Sequence, residues 1–296
     1  MKTKVVIIGG GPAGLSASLY LSRAGIHHIV LEKGEFGGNI LEAINIRNYP
    51  GIKEISGRKF IENLRAQLNE FNIDFIRTTV REIKKKDRSF IISTKRQGDI
   101  ESEKIIIATG SRPVEGDIFI HNYVNTSFCA LCDGNNFKGK DISVIGAGNN
   151  GVDSAIYLSN IVNSVKVFTD KDKADADIYS YEKAKSIKNI EFYFNYRARD
   201  IYEDRIEFDT DKGKEIVKTH GVFIYTGFKP NTEIFKGLID MEDGYILVDN
   251  NEMTNVEGIY AAGDCTRHSK GQLITSISQG ASAAISVGKV FRKCIN

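Results

Sequence analysis

One short stretch, Cys129-Ala130-Leu131-Cys132-Asp133, places two thiols and a carboxylate where an electron pair and a proton could move together. A C-x-x-C pair reads either as half of a zinc site or as a redox couple. Zinc needs a second half, a further C-x-x-C or closely spaced histidines. Here Cys265 and Cys294 stand far apart, and the only neighbouring histidines are the adjacent His27 and His28. The redox reading therefore leads, and no metal is expected. Cys129 and Cys132 would close a small ring on oxidation and reopen on reduction, with Asp133 the candidate for proton traffic. Cys265 reads as a small buried hydrophobe and Cys294 as an exposed tail thiol.

Glycine turns stand on both sides of the pair. An apolar strand, Lys4–Ile8, runs into Gly9-Gly10-Gly11-Pro12-Ala13-Gly14 and a helix with Leu15, Ala17, Leu19 and Leu21 on its apolar side. Pro12 suits a first helical turn. A second strand, Ile29–Leu31, ends at Glu32, 23 residues after Gly9. Strand, glycines, helix, strand and acid together make a complete dinucleotide fingerprint. The glycines let the backbone approach a pyrophosphate at the helix N-terminus, and Glu32 can accept hydrogen bonds from a ribose diol. The same order recurs after the cysteines: strand Ile142–Ile145, then Gly146-Ala147-Gly148-Asn149-Asn150-Gly151, a helix with Val152, Ala155, Ile156 and Ser159 on one face, and strand Val165–Phe168.

Between the turns, Phe60, Ile61, Leu64, Leu68 and Phe71 form a helical core stripe. From Phe75 to Ile107 short alternating runs read as a small β-meander ending in Ala108-Thr109-Gly110. The second unit closes with Val222–Tyr225, Thr226-Gly227 and Pro230-Asn231-Thr232. The tail carries Gly258-Ile259-Tyr260-Ala261-Ala262-Gly263-Asp264, then Gln272 and a small-residue helix over 276–290. Alone, Gly263-Asp264 would read as a helix N-cap; after a buried strand, Asp264 is placed to accept hydroxyl hydrogen bonds.

Composition narrows the field. The 296 residues suit two domains; 41% hydrophobic content is enough for real cores, and a net charge of +2 argues against a dedicated nucleic-acid binder. The basic run Lys84–Lys86, with Arg81 and Arg88, reads as a solvated strand end. No apolar stretch approaches the roughly 18 residues of a membrane helix, and the glycines end the N-terminal apolar run too early for a signal peptide. No membrane or nucleic-acid partner is expected, and a cytoplasmic location is.

The duplicated pattern, with Cys-x-x-Cys-Asp just before its second copy, resembles the low-molecular-weight thioredoxin reductases over nearly the whole chain. Its markers are Gly37-Gly38, Asn48-Tyr49-Pro50-Gly51, Ala108-Thr109-Gly110, Cys129-Ala130-Leu131-Cys132-Asp133-Gly134 and Gly263-Asp264. The resemblance implies an α/β fold of two Rossmann-like dinucleotide-binding domains, the second inserted into the first. Residues 1–113 and 241–296 would hold FAD, and 114–240 would carry the redox pair. Gly9, Gly11, Pro12, Ala13 and Gly14 would cradle the pyrophosphate, with Glu32 on the adenosine ribose. Gly38, Asn39, Val80, Ala108, Thr109 and Gly110 are further cofactor positions. Asn48 would lie near the flavin ring, with Gly263, Asp264, Gln272 and Leu273 on the ribityl and ring side. Cys132 would face the flavin and Cys129 attack the protein substrate, thioredoxin or a similar disulfide protein. A homodimer is implied as well.

The second unit departs from that family. NADPH-dependent members carry a His-Arg-Arg motif and a further arginine after the second strand, and these hold the 2′-phosphate. Here the stretch reads Thr169-Asp170-Lys171-Asp172-Lys173-Ala174-Asp175-Ala176-Asp177, and its four carboxylates would repel a phosphate. Asp170, 24 residues after Gly146, could instead select NADH through its 2′-hydroxyl. The favoured expectation is the ferredoxin-dependent flavin thioredoxin reductase branch, which lacks these arginines and keeps the cysteines. The alternatives are an NADH- or NADPH-dependent thioredoxin reductase and an oxygen-using dithiol oxidase. A ferredoxin–NADP reductase would lack the cysteine pair, and a non-catalytic flavin-holding module would have no use for it.

Overall fold

The computed structural model describes residues 1–121 and 123–293; Cys294 lies outside them. The chain divides into two compact units. Unit 1 comprises Met1–Leu41, Asn45–Arg112 and the chain from Lys229 onward; unit 2 comprises Glu42–Ile44 and Pro113–Phe228.

Unit 1 is built on a sheet that begins as β-α-β. β1 (Lys2–Ile8), α1 (Pro12–Arg23) and β2 (His28–Glu32) are followed by α2 (Gly57–Leu68) and β3 (Asp74–Arg77). Then come β4 (Val80–Lys86), β5 (Ser89–Thr94) and β6 (Asp99–Ile107), in the sheet order β3-β2-β1-β6-β5-β4. β1 pairs in parallel with β2 and β6, whereas β4, β5 and β6 run antiparallel. The meander is therefore part of the main sheet, joined through β6. Phe75 does not open it: β3 pairs in parallel with β2, because the α2 crossover returns the chain in the same direction. The basic run Lys84–Lys86 sits at the exposed end of β4, at a hairpin turned by Asp87 with φ +50°.

Both faces of the parallel strands are covered, so β1 reads as a continuous apolar run. Val5 and Ile7 face the layer of α1, while Val6 and Ile8 face the opposite core with Val80, Ile83, Phe90 and Ile92.

β7 (Ser111–Pro113) leads out of unit 1. Unit 2 contains β8 (Phe119–Ile120), β9 (Thr126–Ser127), the single turn α3 (Ala130–Asp133), β10 (Asp141–Ile145), α4 (Asn149–Leu158), β11 (Ser164–Phe168), α5 (Ile178–Lys185) and β12 (Ile190–Tyr193). β13 (Tyr196–Ile201), β14 (Arg205–Thr210), β15 (Gly213–Lys218) and β16 (Val222–Ile224) complete it. Its parallel sheet has the order β12-β11-β10-β16-β9, and a second sheet the order β15-β14-β13-β8. Ile142 and Val144 pack under α4, against Val152, Ala155 and Leu158. On the other face Ile145, Phe168 and Ile224 meet the second sheet, where Phe168 stacks on Phe208 at a centroid separation of 4.5 Å.

The chain returns to unit 1 at β17 (Phe228–Pro230), earlier than the 240/241 boundary expected from the sequence. The reason is packing: Phe235, Ile239 and Ile246 are buried in the core of unit 1. β18 (Met241–Glu242), β19 (Tyr245–Ile246), β20 (Ile259–Ala261) and α6 (Leu273–Lys293) follow, with β20 paired in parallel to β6. Ala283, Ala284 and Val287 of α6 share a core with Ala13, Ala17 and Leu21 of α1. The two helices touch backbone to backbone at Gly280, where a Cβ would fall 2.0 Å from the Ala13 carbonyl oxygen. Among the described residues no helix is long and apolar enough to cross a membrane.

The turn before β20 gives unit 1 a pH dependence. Glu252 holds φ +60°, and its Oε2 is buried without a hydrogen-bond partner. Burial, with the charge of Asp249 added, pushes its carboxyl up to about 7. A raised acid pKa means stability present below the unfolded value near 4.5 and lost as pH rises toward 7. Glu252→Gln should therefore be more stable than wild type at pH 8, by about 1 kcal/mol once solvent screening of a partly buried group is allowed for. Near pH 4.5 the two should agree, and urea titrations at both pH values measure the difference. Equal gaps at the two pH values would sink this account.

Candidate functional site

In unit 1 the fingerprint forms where β1 ends. Gly9 adopts φ +112°, and a Cβ there would lie 2.1 Å from the carbonyl oxygen of Ala108; a Cβ on Gly14 would lie 1.9 Å from that of Gly9. These two glycines are required by the protein's own packing. Gly11 differs: its Cβ would meet only the Gly37 oxygen, at 3.9 Å, so open space lies beside it. It is the N-cap of α1, with no side-chain cap and Pro12 following, so the amides of the first turn stay available to an anion. Ala13 is buried beneath that turn.

Glu32 does more than await a ribose. Its Oε2 accepts the Gly10 amide and its Oε1 the Gly34 amide, both at 2.7 Å, which pins the glycine turn. Each oxygen keeps a second lone pair for a hydroxyl. The Gly37 amide donates to the Gly10 carbonyl at 2.8 Å, bringing Gly38 against Gly11. Asn39 Nδ2 donates to the Ser111 carbonyl at 2.8 Å. Val80 is buried at the start of β4. Ala108, Thr109 and Gly110 follow β6, and Thr109 Oγ1 is shielded from solvent without a hydrogen bond of acceptable geometry.

Remote segments complete the cradle. Asn231 binds the carbonyls of Thr109 and Gly110 through its Nδ2 and its amide, at 3.0 and 2.9 Å. Gly263, at φ +79°, passes Ala13 so closely that a Cβ would lie 3.0 Å from the alanine's own. Asp264 Oδ1 accepts the hydroxyls of Ser269 and Ser276, at 2.9 and 3.1 Å. Asn48 Nδ2 donates to Gln272 Oε1 at 2.9 Å, and Leu273 begins α6. Asn231, Ser269 and Ser276 carry no role on sequence grounds and acquire one only here. Uncapped helix amides, a gap beside Gly11, two carboxylates and an orphaned hydroxyl fit a dinucleotide such as FAD.

In unit 2 the cysteines are joined by a disulfide, with Cα atoms 5.3 Å apart. Cys129 is the N-cap of α3, and its Sγ accepts the Cys132 amide at 3.1 Å. An amide donating to that sulfur favours the thiolate once the bond is reduced. Cys132 is exposed and Cys129 half-buried. Buried Ser127, which the sequence did not single out, organises the turn: its hydroxyl donates to Asp133 Oδ2 at 2.7 Å and accepts the Cys129 amide at 3.0 Å. Tyr225 Oη accepts the Ala130 amide at 3.0 Å, and burial pushes its phenol pKa up.

The second glycine turn copies the first. A Cβ on Gly146 would sit 2.2 Å from the Tyr225 carbonyl oxygen, one on Gly151 1.9 Å from that of Gly146, and one on Gly148 in open space. The segment after β11 folds back onto this turn. The Asp175 and Ala176 amides donate to the Ala147 carbonyl at 3.0 and 3.2 Å, and the Asp177 amide to Asn149 Oδ1 at 2.8 Å. The four carboxylates are not equivalent, although the sequence makes them look alike. Asp175 is paired with Lys171, and Asp177 caps α5 by accepting the Ser180 amide. Asp170, exposed just beyond β11, has no ion-pair partner among the described residues.

The chain and its fold have known relatives. The sequence profile described as pyridine nucleotide-disulphide oxidoreductase matches residues 3–284. The structure is similar to that of thioredoxin reductase from Lactococcus lactis in its FR conformation, with a TM-score of 0.95 and 30% identity, covering 98% of this chain and 99% of that one. A component of the alkyl hydroperoxide reductase of Staphylococcus aureus is 35% identical over 296 residues, and an NADH dehydrogenase of Bacillus subtilis 34% identical over 293. Each alignment covers 95% of this chain, which spans 57% of the length of either relative.

Proposed function

The chain belongs to the pyridine nucleotide-disulphide oxidoreductase family, as a flavoprotein disulfide oxidoreductase of the thioredoxin reductase type, and on that premise we propose that it reduces thioredoxin with electrons that do not come from NADPH. The cradle of unit 1 would hold FAD, which would supply the two-electron chemistry needed to reduce the Cys129–Cys132 disulfide. Cys129, its thiolate favoured by the Cys132 amide, attacks the disulfide of thioredoxin. One thioredoxin sulfur leaves as a thiolate; Cys132 then displaces the other and restores the Cys129–Cys132 bond. Thioredoxin ends as the dithiol, and Asp133, oriented by Ser127, holds or releases the proton. The observation that carries the reading is the disulfide-forming pair set in a turn whose amide and serine already serve sulfur and carboxylate.

Reduced ferredoxin is the proposed donor. What supports it is the 169–177 segment, where the one cation bonded to a neighbour, Lys171, is taken by Asp175 and no arginine stands ready for a 2′-phosphate. NADH is the second reading, favoured by Asp170, which is exposed just beyond β11 and in no ion pair among the described residues. A homodimer is the proposed assembly. Anaerobic mixing with NADPH, NADH and reduced ferredoxin in parallel, read at the flavin absorbance, tests the donor. Reduction by ferredoxin and little by NADPH is expected; fast, saturable reduction by micromolar NADPH would overturn it. Fast reduction by NADH alone would establish the second reading, and oxygen uptake driven by small dithiols would instead mark a dithiol oxidase.

A further inference from the structure

We propose that a cleft of unit 1 lined by Lys33, Arg77, Thr78, Thr79, Lys95 and Arg96 binds a phosphate-bearing anion other than FAD. Three segments separated in sequence build it. Lys33 follows β2, Arg77 ends β3 with Thr78 and Thr79 after it, and Lys95 and Arg96 follow β5. Backbone bonds lock the segments together. The Thr78 amide donates to the Glu32 carbonyl at 2.8 Å, the Lys95 amide to the Thr79 carbonyl at 2.8 Å, and the Arg96 amide to Thr78 Oγ1 at 3.2 Å. Thr78 is itself buried.

The charge of the cleft is one-sided. Its lining contains four cations and no carboxylate. Among the described residues none of the four is in an ion pair, although surface cations elsewhere are paired, as in Arg58–Glu35, Arg112–Glu233 and Arg267–Glu242. Like charges gathered around one hollow repel each other, and an anion between them removes that repulsion. Two guanidinium groups present the forks that match phosphate oxygens, and the ammonium groups and hydroxyls add single donors. The volume, about 340 Å³, suits a small molecule and not a protein loop. The site also lies at the carboxyl ends of β2 and β3, where open α/β sheets take ligands.

FAD does not account for these cations. On the proposed function, Gly9–Gly14 would hold its two phosphates and Glu32 its adenosine ribose, with Val80 a further cofactor position. Adenosine is neutral and has no need of four cations. The cleft adjoins that end, through Lys33 next to Glu32 and Thr79 next to Val80, and takes a second ligand. Inorganic phosphate and the phosphates of a nucleotide offer the same chemistry.

The holoprotein decides the matter by calorimetric titration with inorganic phosphate, ADP and adenosine, at low and at physiological salt, with released FAD measured in the filtrate. Wild type should bind phosphate or ADP at one site per chain, more weakly as salt rises, and should not bind adenosine. Arg77→Gln/Arg96→Gln should weaken that binding about 100-fold, roughly tenfold for each guanidinium lost, with FAD content and disulfide-reductase turnover unchanged. Comparable affinity for both probes would identify free phosphate as sufficient; a strong preference for ADP would identify a nucleotide. Failure of both probes to bind, equal binding by the double variant, or release of FAD by ADP would each overturn the proposal. A purified protein that holds no FAD counts against the flavin reading, while the phosphate titration still decides the cleft.

Discussion

Cys132→Ser is expected to keep its FAD and to lose thioredoxin reduction to below about one-thousandth of wild type, as removal of a covalent participant does elsewhere. Serine fills nearly the same space but cannot close a bond to Cys129 Sγ, so the dithiol–disulfide cycle has no return step. The fold should survive, because Cys132 is exposed and its amide, the group that donates to Cys129 Sγ, remains. FAD should survive too, since every residue of the proposed cradle belongs to unit 1 and the cysteines belong to unit 2. Cys129→Ser should be equally inactive, and the two variants differ in what they trap. Exposure alone would make Cys132 the attacking sulfur. The donated amide and the N-cap position favour the Cys129 thiolate. Incubated with a thioredoxin that lacks its resolving cysteine and carries its remaining cysteine as a mixed disulfide with thionitrobenzoate, Cys132→Ser should displace thionitrobenzoate and accumulate the protein–protein mixed disulfide, and Cys129→Ser should not. Non-reducing gels with mass spectrometry read the adduct. The opposite pattern would exchange the two roles, and undiminished turnover in both variants would end the redox-pair reading.

How much of this was legible in the sequence depended on how local each requirement is. Gly9 with Gly14, and Gly146 with Gly151, stand out because a carbonyl approaches within about 2 Å of where a Cβ would be, and only one residue type meets that demand. The cysteine pair is legible for the same reason, as its chemistry needs nothing beyond the short run of chain between the two sulfurs. Asn231, Ser269 and Ser276 were illegible, since each is an ordinary polar residue until the fold carries it to Thr109 or Asp264. The bonds that fold residues 175–177 onto the second glycine turn come largely from backbone amides, which carry no side-chain signature. The misplacement of Phe75 had a different cause. A four-residue strand has too few alternations to reveal its partner, and the preceding helix α2, which fixes the direction of β3, settles the pairing instead. The early return of the chain at Lys229 was hidden likewise, because Phe235, Ile239 and Ile246 enter the core without a regular period.

Gly11→Val and Gly14→Val should fail in different ways, and the difference separates space the protein fills from space it leaves for a cofactor. At Gly14 a Cβ would stand 1.9 Å from the Gly9 carbonyl oxygen, so the turn between β1 and α1 must move. That displaces Ala13, whose backbone touches Gly280 of α6, and strains the core shared by both helices. Gly14→Val should cost more than about 4 kcal/mol and accumulate poorly as folded protein. Gly11 has φ −77° and ψ −174°, an extended backbone in which valine is at ease. Its Cβ would meet nothing nearer than the Gly37 oxygen at 3.9 Å. The apoprotein of Gly11→Val should therefore unfold within about 1 kcal/mol of wild-type apoprotein, the cost of replacing a glycine N-cap. The branched side chain would nevertheless stand over the open amides at the start of α1, where the pyrophosphate is proposed to lie. FAD binding should weaken by at least about 100-fold, through lost amide contacts and overlap with the phosphates. Reconstitution with FAD followed by gel filtration reads retention, and urea titration of the apoproteins reads stability. If Gly11→Val kept FAD as tightly as wild type, the open space beside Gly11 would not be the path of the cofactor, and the cradle would have to be drawn elsewhere in unit 1.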